Sequence, residues 1–244
     1  MEPQMERGDH SNQDRMSEPE QLVYVGDQVR EVERLHRDLL TDGVRQLPIR
    51  DQLDRQAHRI VEGHKAGDRA VVTHITCWHP KLACQSADEI MNSDFKLDDA
   101  RQTIAREYGF ADWSDVEARG AHRPDLEFEL AVDTLLRGDV EKLRGLLKGD
   151  PSLVHQRSSF GHRSTLLHYI GSNGVETYRQ RVPRNLAEIP RILIEAGADV
   201  NVEANMHGGS STTLGQLVTS DHPAKAGVTG DVQKVLEAAG AKRD

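Results

Sequence analysis

Aromatic residues make up only 4% of this 244-residue chain, so any core must be built from Leu, Ile, Val and Ala on slender elements. Two cysteines in that length exclude a disulfide framework. No apolar run approaches the ~20 residues of a membrane-spanning helix. The opening Met1-Glu2-Pro3-Gln4 lacks the basic end and apolar middle of a secretory signal. Basic charge is also short, with 31 Lys and Arg against 40 Asp and Glu. From Leu126 onward the two signs nearly balance, at 15 acidic and 14 basic residues, so the acid excess lies upstream. No basic stripe is left for non-specific nucleic-acid binding. These absences lead us to expect a cytoplasmic protein without nucleic-acid or membrane partners.

Residues 1–20 are polar and without apolar periodicity, as expected of a disordered tail; Met16 offers an alternative start to Met1. Residues 21–122 read as a helical module. Leu22, Val25, Val29, Val32, Leu35, Leu39 and Leu40 recur at steps of three and four, the mark of one amphipathic face. Leu53, Ala57, Ile60, Val61 and His64 do the same before Gly67 closes the helix. Ser86-Ala87-Asp88-Glu89 has the spacing of a capping box. Leu97, Ala100, Ile104, Ala105 and Tyr108 line a further face ending at Gly109, and Phe110 and Trp113 lead into a short last helix near Gly120.

Residues 123–244 carry the most specific signal. Thr165-Leu166-Leu167-His168 opens a unit that continues through Asn173-Gly174 and ends at Ile192-Leu193-Ile194-Glu195-Ala196-Gly197-Ala198-Asp199-Val200-Asn201. Ser211-Thr212-Thr213-Leu214-Gly215 and Val232 to Ala241 restate it downstream; Leu130-Ala131-Val132, Gly138 to Leu147 and Asp150-Pro151-Ser152-Leu153-Val154 restate it upstream. The unit resembles an ankyrin repeat, a T-x-L-H turn with two helices and a period of about 33 residues. The spacing from Thr165 to Thr212 is longer, with extra residues at Val175–Glu188 and again at Asp221–Gly230.

Asp99 to Phe110 with Trp113, and Leu53-Asp54-Arg55-Gln56-Ala57 with Gly67-Asp68, are similar to the segment that precedes the repeats in many bacterial ankyrin-repeat proteins. The likeness spans roughly residues 48–241, leaving 21–47 outside it. It implies an all-α fold: an ankyrin-repeat solenoid of about three repeats with enlarged inter-helix loops, capped by the N-terminal module. It also implies a protein–protein interaction scaffold rather than an enzyme, because solenoids present concave binding surfaces.

On that reading the concave face would comprise His162, Ser164, Ser172, Asn173, His207, Gly208, Thr219 and Ser220. The first insertion would add Tyr178, Arg179, Arg181 and Arg184, which with Arg191 form the only local basic cluster of the repeats. Guanidinium forks suit carboxylates and phosphates, so the expected partner is another protein with an acidic or phosphate-bearing surface. The alternative is an enzyme or small-ligand protein with a pocket between the enlarged loops and the N-terminal helices, where His168, Tyr178, His207, Asp221 and His222 would supply acid–base groups if they converged.

His74, Cys77, His79 and Cys84 are crowded into eleven residues, unlike paired zinc ligands separated by a loop, and Pro80 interrupts them. Helix packing is the simpler account, and no metal or cofactor is expected. His207-Gly208-Gly209-Ser210 resembles a lipase oxyanion loop, but the chain has no G-x-S-x-G nucleophile elbow. The glycines are better read as a turn.

Overall fold

A computed structural model describes residues 23–243; the tail expected over 1–20 lies outside them. The described chain is mostly helical, with four short strands that the all-α expectation did not include. Among the described residues no helix is long and apolar enough to cross a membrane.

Strand β1 (Val23–Val25) leads into α1 (Asp27–His36), the short α2 (Asp42–Arg45) and the long α3 (Ile49–Lys65). The apolar positions of α1 and α3 fall three and four residues apart, and Val29, Val32, Leu53, Ala57 and Ile60 are buried as that spacing requires. Helix α4 (Val71–Trp78) stops two residues before Pro80. Helix α5 (Ala87–Met91) starts at Ser86, whose hydroxyl accepts from the Glu89 amide while Glu89 reaches back to the Ser86 amide. Helices α6 (Leu97–Glu107) and α7 (Trp113–Arg119) complete the first half, and α6 packs on α3 and α4. Leu35, Ile49, Leu53, Ile60, Ile75, Ile90, Ile104 and Tyr108 share one apolar cluster.

The second half consists of three helical pairs. Helices α8 (Leu126–Leu136) and α9 (Val140–Gly149) form the first. A 3-10 segment, Leu166–Gly171, pairs with α10 (Glu188–Glu195), and α11 (Thr213–Thr219) pairs with α13 (Thr229–Ala238). The first members touch in sequence, α8 to the 3-10 segment to α11, and so do the second members, α9 to α10 to α13. Phe128, Leu135, Leu143, Leu167, Leu193, Leu217 and Leu236 belong to the cluster between these two rows.

The two extended loops are structured. The first holds a 3-10 turn (Thr177–Arg179) and strand β2 (Arg181–Pro183), which pairs antiparallel with β1, Tyr24 opposite Val182. Residues 23–36 are thereby ordered against the insertion, and α1 packs on its 3-10 turn. The second loop holds α12 (Asp221–Lys225), which touches β2. Between the second and third pairs, β3 (Glu203–Met206) and β4 (Gly209–Thr212) form a two-residue hairpin.

The halves meet glycine on glycine. The His162 amide donates to the Tyr108 carbonyl at 3.0 Å. A Cβ on Gly109, whose φ is +74°, would sit 2.2 Å from the His162 nitrogen, and one on Gly161 would sit 2.5 Å from the Gly109 carbonyl carbon. Phe160, from the second half, enters the apolar cluster of the first.

Candidate functional site

The expected arginine cluster does not exist as a surface. Arg179 is only 1% exposed. Its Nη1 donates to Glu129 Oε2 at 2.6 Å and to Glu176 Oε1 at 3.1 Å, and its Nη2 to Asp133 Oδ1 at 2.9 Å. The guanidinium lies over the rings of Tyr169 and Tyr178, 5.9 and 5.4 Å from their centroids. Arg45 forks onto Asp133 at 2.6 and 3.1 Å. Arg181 is half-buried and pairs with Glu33 at 2.6 Å, while Arg184 and Arg191 are exposed. The cause is charge complementarity: α8 presents Glu129 and Asp133 to the insertion, and a buried charge persists only when paired.

The electrostatics follow the same geometry. Burial pushes the Asp133 carboxyl up, but Arg179 and Arg45 outweigh it and hold the group at about 2. Burial likewise pushes Glu176 up, and Arg179 with His162 holds it down. Glu129 is raised, chiefly by burial. Burial raises the Tyr178 phenol to about 12.

A second buried chain ties the insertion to the N-terminal module. Glu107 accepts the Thr177 amide at 2.9 Å and pairs with His74 Nδ1 at 2.7 Å. The far nitrogen of His74 faces His36 at 2.9 Å.

His162, Ser164, Ser172 and Ser220, expected on an open concave face, are buried. Nδ1 of His162 accepts the Ser164 amide at 3.2 Å; the Ser172 hydroxyl donates to the Arg181 carbonyl, and Ser220 to that of Ser172. The chain's own insertion and N-terminal helices cover this face. The alternative pocket set does not assemble either. His168 is buried, its Nδ1 accepting the Thr165 amide at 3.1 Å, and burial lowers its pKa to about 4. Buried His222 meets Gln28 at 3.3 Å, and exposed Asp221 pairs with Lys225. Tyr178 lines a separate cleft of about 180 Å³. Among the described residues no hydrogen bond links any two of His168, Tyr178, His207, Asp221 and His222.

Of the expected concave-face residues, Asn173, His207, Gly208 and Thr219 stay at the surface or half-buried, and Asn173, His207 and Thr219 form one chain of hydrogen bonds. His207 Nε2 meets Asn173 Oδ1 at 3.0 Å, and Asn173 Nδ2 donates to Thr219 Oγ1 at 3.2 Å. His207 and Gly208 are the hairpin's central residues, with φ of +51° and +79°, as a type I′ turn demands. Left-handed backbone strains a non-glycine residue; here the imidazole lies flat on Trp78, centroids 4.8 Å apart and planes 2° apart.

His207 thereby borders an open cleft of about 500 Å³ between the hairpin and the N-terminal helices. Its walls are Cys77 and Trp78 from α4, Arg106 from α6, Gly109 to Ala111, Asp115 and Arg119 from the α6–α7 corner and α7, and Asn205 with His207 to Ser210 from the hairpin. Arg119 forks onto Asp115 at 2.6 Å and covers Phe110. Arg106 is exposed and has no ion-pair partner among the described residues. Sequence reasoning missed Trp78, Arg106 and Arg119 because they reach the cleft only through the docking of the two halves. The glycine pair after His207 is the one local signal: it marks the turn that holds the imidazole at the cleft.

The candidate zinc set is dispersed: His74 is bonded to His36 and Glu107, His79 Nδ1 accepts the amides of Lys81 and Leu82, and both cysteines are exposed. Among the described residues no group of three or more His, Cys, Asp or Glu side chains could hold a metal ion.

Compared with known proteins, the chain matches no family model, no curated protein and no solved structure. What the cleft can do must therefore be read from its own groups. Ser210 donates its hydroxyl hydrogen bond to Glu203 at 2.5 Å, and Cys77 makes no hydrogen bond among the described residues. Neither is coupled to a histidine, as an activated nucleophile would be.

Proposed function

We propose that this chain is an ankyrin-type binding protein of the cytoplasm that engages another protein through the open hairpin cleft. The observation that carries the reading is the cleft: about 500 Å³, open, and, among the described residues, without a coupled nucleophile and base. An enclosed pocket with converging acid–base groups would point to catalysis instead. The ankyrin-type part of the reading draws on three helical pairs stacked in two rows, on Thr165 and His168 tied together at the turn, and on the β3–β4 hairpin between successive pairs. Because the first extended loop lies against α8 and the Ser172 end of the first row, with α1 packed on the loop, partner contact shifts from the concave face to its rim. The buried Arg179 has no part in it.

The test is capture by the immobilised chain from the source organism. Arg106→Glu/Arg119→Glu, in the cleft, is compared with Lys142→Glu/Lys148→Glu on α9, at matched melting temperatures. Partner lost with the first variant and kept with the second supports the cleft; equal capture by both refutes it. A small-ligand reading stands second, favoured by the fixed imidazole of His207.

A further inference from the structure

Resting on the cleft as the binding site, its groups narrow what it accepts. Thr219 donates its hydroxyl hydrogen to the Gly215 carbonyl at 2.9 Å, so its lone pairs face Asn173 and fix which end of that amide donates to it. Asn173 must then present Oδ1 to His207. An oxygen acceptor requires a hydrogen on His207 Nε2, which leaves Nδ1 of the neutral ring as a bare acceptor. That nitrogen has no protein partner among the described residues. The ring's orientation is favoured by its flat stack on Trp78 and by the hairpin turn that sets its backbone. Such second-layer fixing of a tautomer is how functional imidazoles are oriented.

Arg106, charged and without an ion-pair partner among the described residues, lines the same cleft. The remaining lining charges, Arg119 and Asp115, neutralise each other through their fork. The cleft thus carries one uncompensated positive charge on a chain whose net charge is −9. A lone guanidinium offers five N–H donors suited to carboxylate or phosphate oxygens.

We infer that the cleft binds an oxyanion-bearing group that also presents an N–H or O–H donor, the oxyanion meeting Arg106 and the donor meeting Nδ1 of His207. An acidic side chain with its peptide amide, or a phosphorylated hydroxyl residue, both have this form.

Trp78 borders the cleft and is one of only two tryptophans, so its emission reports occupancy. The full chain carrying Trp113→Phe is titrated with phosphoserine and with an acetylated Glu-Asp-Glu-Asp peptide; serine and a Gln-Asn-Gln-Asn peptide serve as neutral probes. Calorimetry on the unsubstituted chain repeats each titration, so the result does not depend on the Trp113 variant folding. We expect saturable binding of at least one anionic probe, with phosphoserine alone indicating phosphate and the acidic peptide alone indicating carboxylate. Arg106→Gln should weaken it about tenfold, the scale of a lost charged hydrogen bond. His207→Asn, which tolerates the left-handed turn, should weaken it several-fold. No anionic binding up to about 10 mM, equal binding of the neutral probes, or full affinity in Arg106→Gln would overturn the inference. Full affinity in His207→Asn alone would remove the imidazole from the site. Protein capture that still depends on the cleft despite such a failure would leave the scaffold reading standing and refute only the anion specificity.

Discussion

Replacing Arg179 by alanine should be among the most damaging single changes in the second half of the chain. The side chain is enclosed and donates to three carboxylates at 2.6, 3.1 and 2.9 Å. Asp133 would keep its fork from Arg45, but Glu129 would lose its cation and Glu176 would retain only His162, 3.8 Å away. Removing one partner of a buried ion pair costs about 3–5 kcal/mol, because the charges left behind are neither solvated nor paired. For a chain of this size that is a fall in melting temperature of about 6–20 °C. Thermal and urea unfolding would measure it. Arg179→Met refills much of the volume yet leaves the carboxylates unpaired, so it should lose nearly as much. Adding Glu129→Gln and Glu176→Gln to it should recover most of the loss. A change below about 0.5 kcal/mol for Arg179→Ala, the range of exposed substitutions, would mean that the guanidinium faces water and that the buried network is wrong.

Stability should fall on acidification in two stages. His168 has a depressed pKa of about 4, so the unfolded chain takes up its proton first; the contribution is full above pH 6.5 and is lost as pH drops towards 4. Asp133, depressed from 3.8 to about 2, contributes fully above 3.8 and loses that contribution as pH falls through about 2. A melting temperature that does not fall between pH 6.5 and 4, or a slope unchanged in His168→Asn, would contradict this assignment. Leu167→Ala, at a site 1% exposed between the rows, should cost about 2–5 kcal/mol in denaturant unfolding, and an unchanged midpoint would show the register to be wrong. Chelator should leave the melting curve in place, because structural zinc contributes directly to folding free energy; a chelator-induced loss of helicity would reinstate His74, Cys77, His79 and Cys84 as ligands.

Local signals were legible. The spacing of Leu53, Ala57 and Ile60 found α3, the Ser86–Glu89 box found the start of α5, and Thr165 with His168 found the turn of the second pair. Each depends on atoms within a few residues. What the sequence hid depends on distant pairing. Arg179 reads as exposed because its partners Glu129 and Asp133 lie 50 and 46 residues away. Strand β2 reads as loop because β1 alone gives it a partner. The segment Leu166–Gly171 forms a 3-10 helix where the repeat pattern predicted an α-helix. The cleft shares this cause, since Arg106 and His207 are brought together only by the docking of two halves.

The pairing of β1 with β2 also constrains the order in which the chain can be completed during synthesis. Its partners are roughly 160 residues apart, a separation of the kind that slows folding. At a synthesis rate of ~5–20 residues per second, β1 would wait about 10–30 s for its partner to be made. Through that interval the part of α1 that packs on the 3-10 turn, and the Trp78 indole that meets Thr177, would stand without the insertion. The N-terminal module is therefore left unfinished until the second helical pair and its extended loop exist.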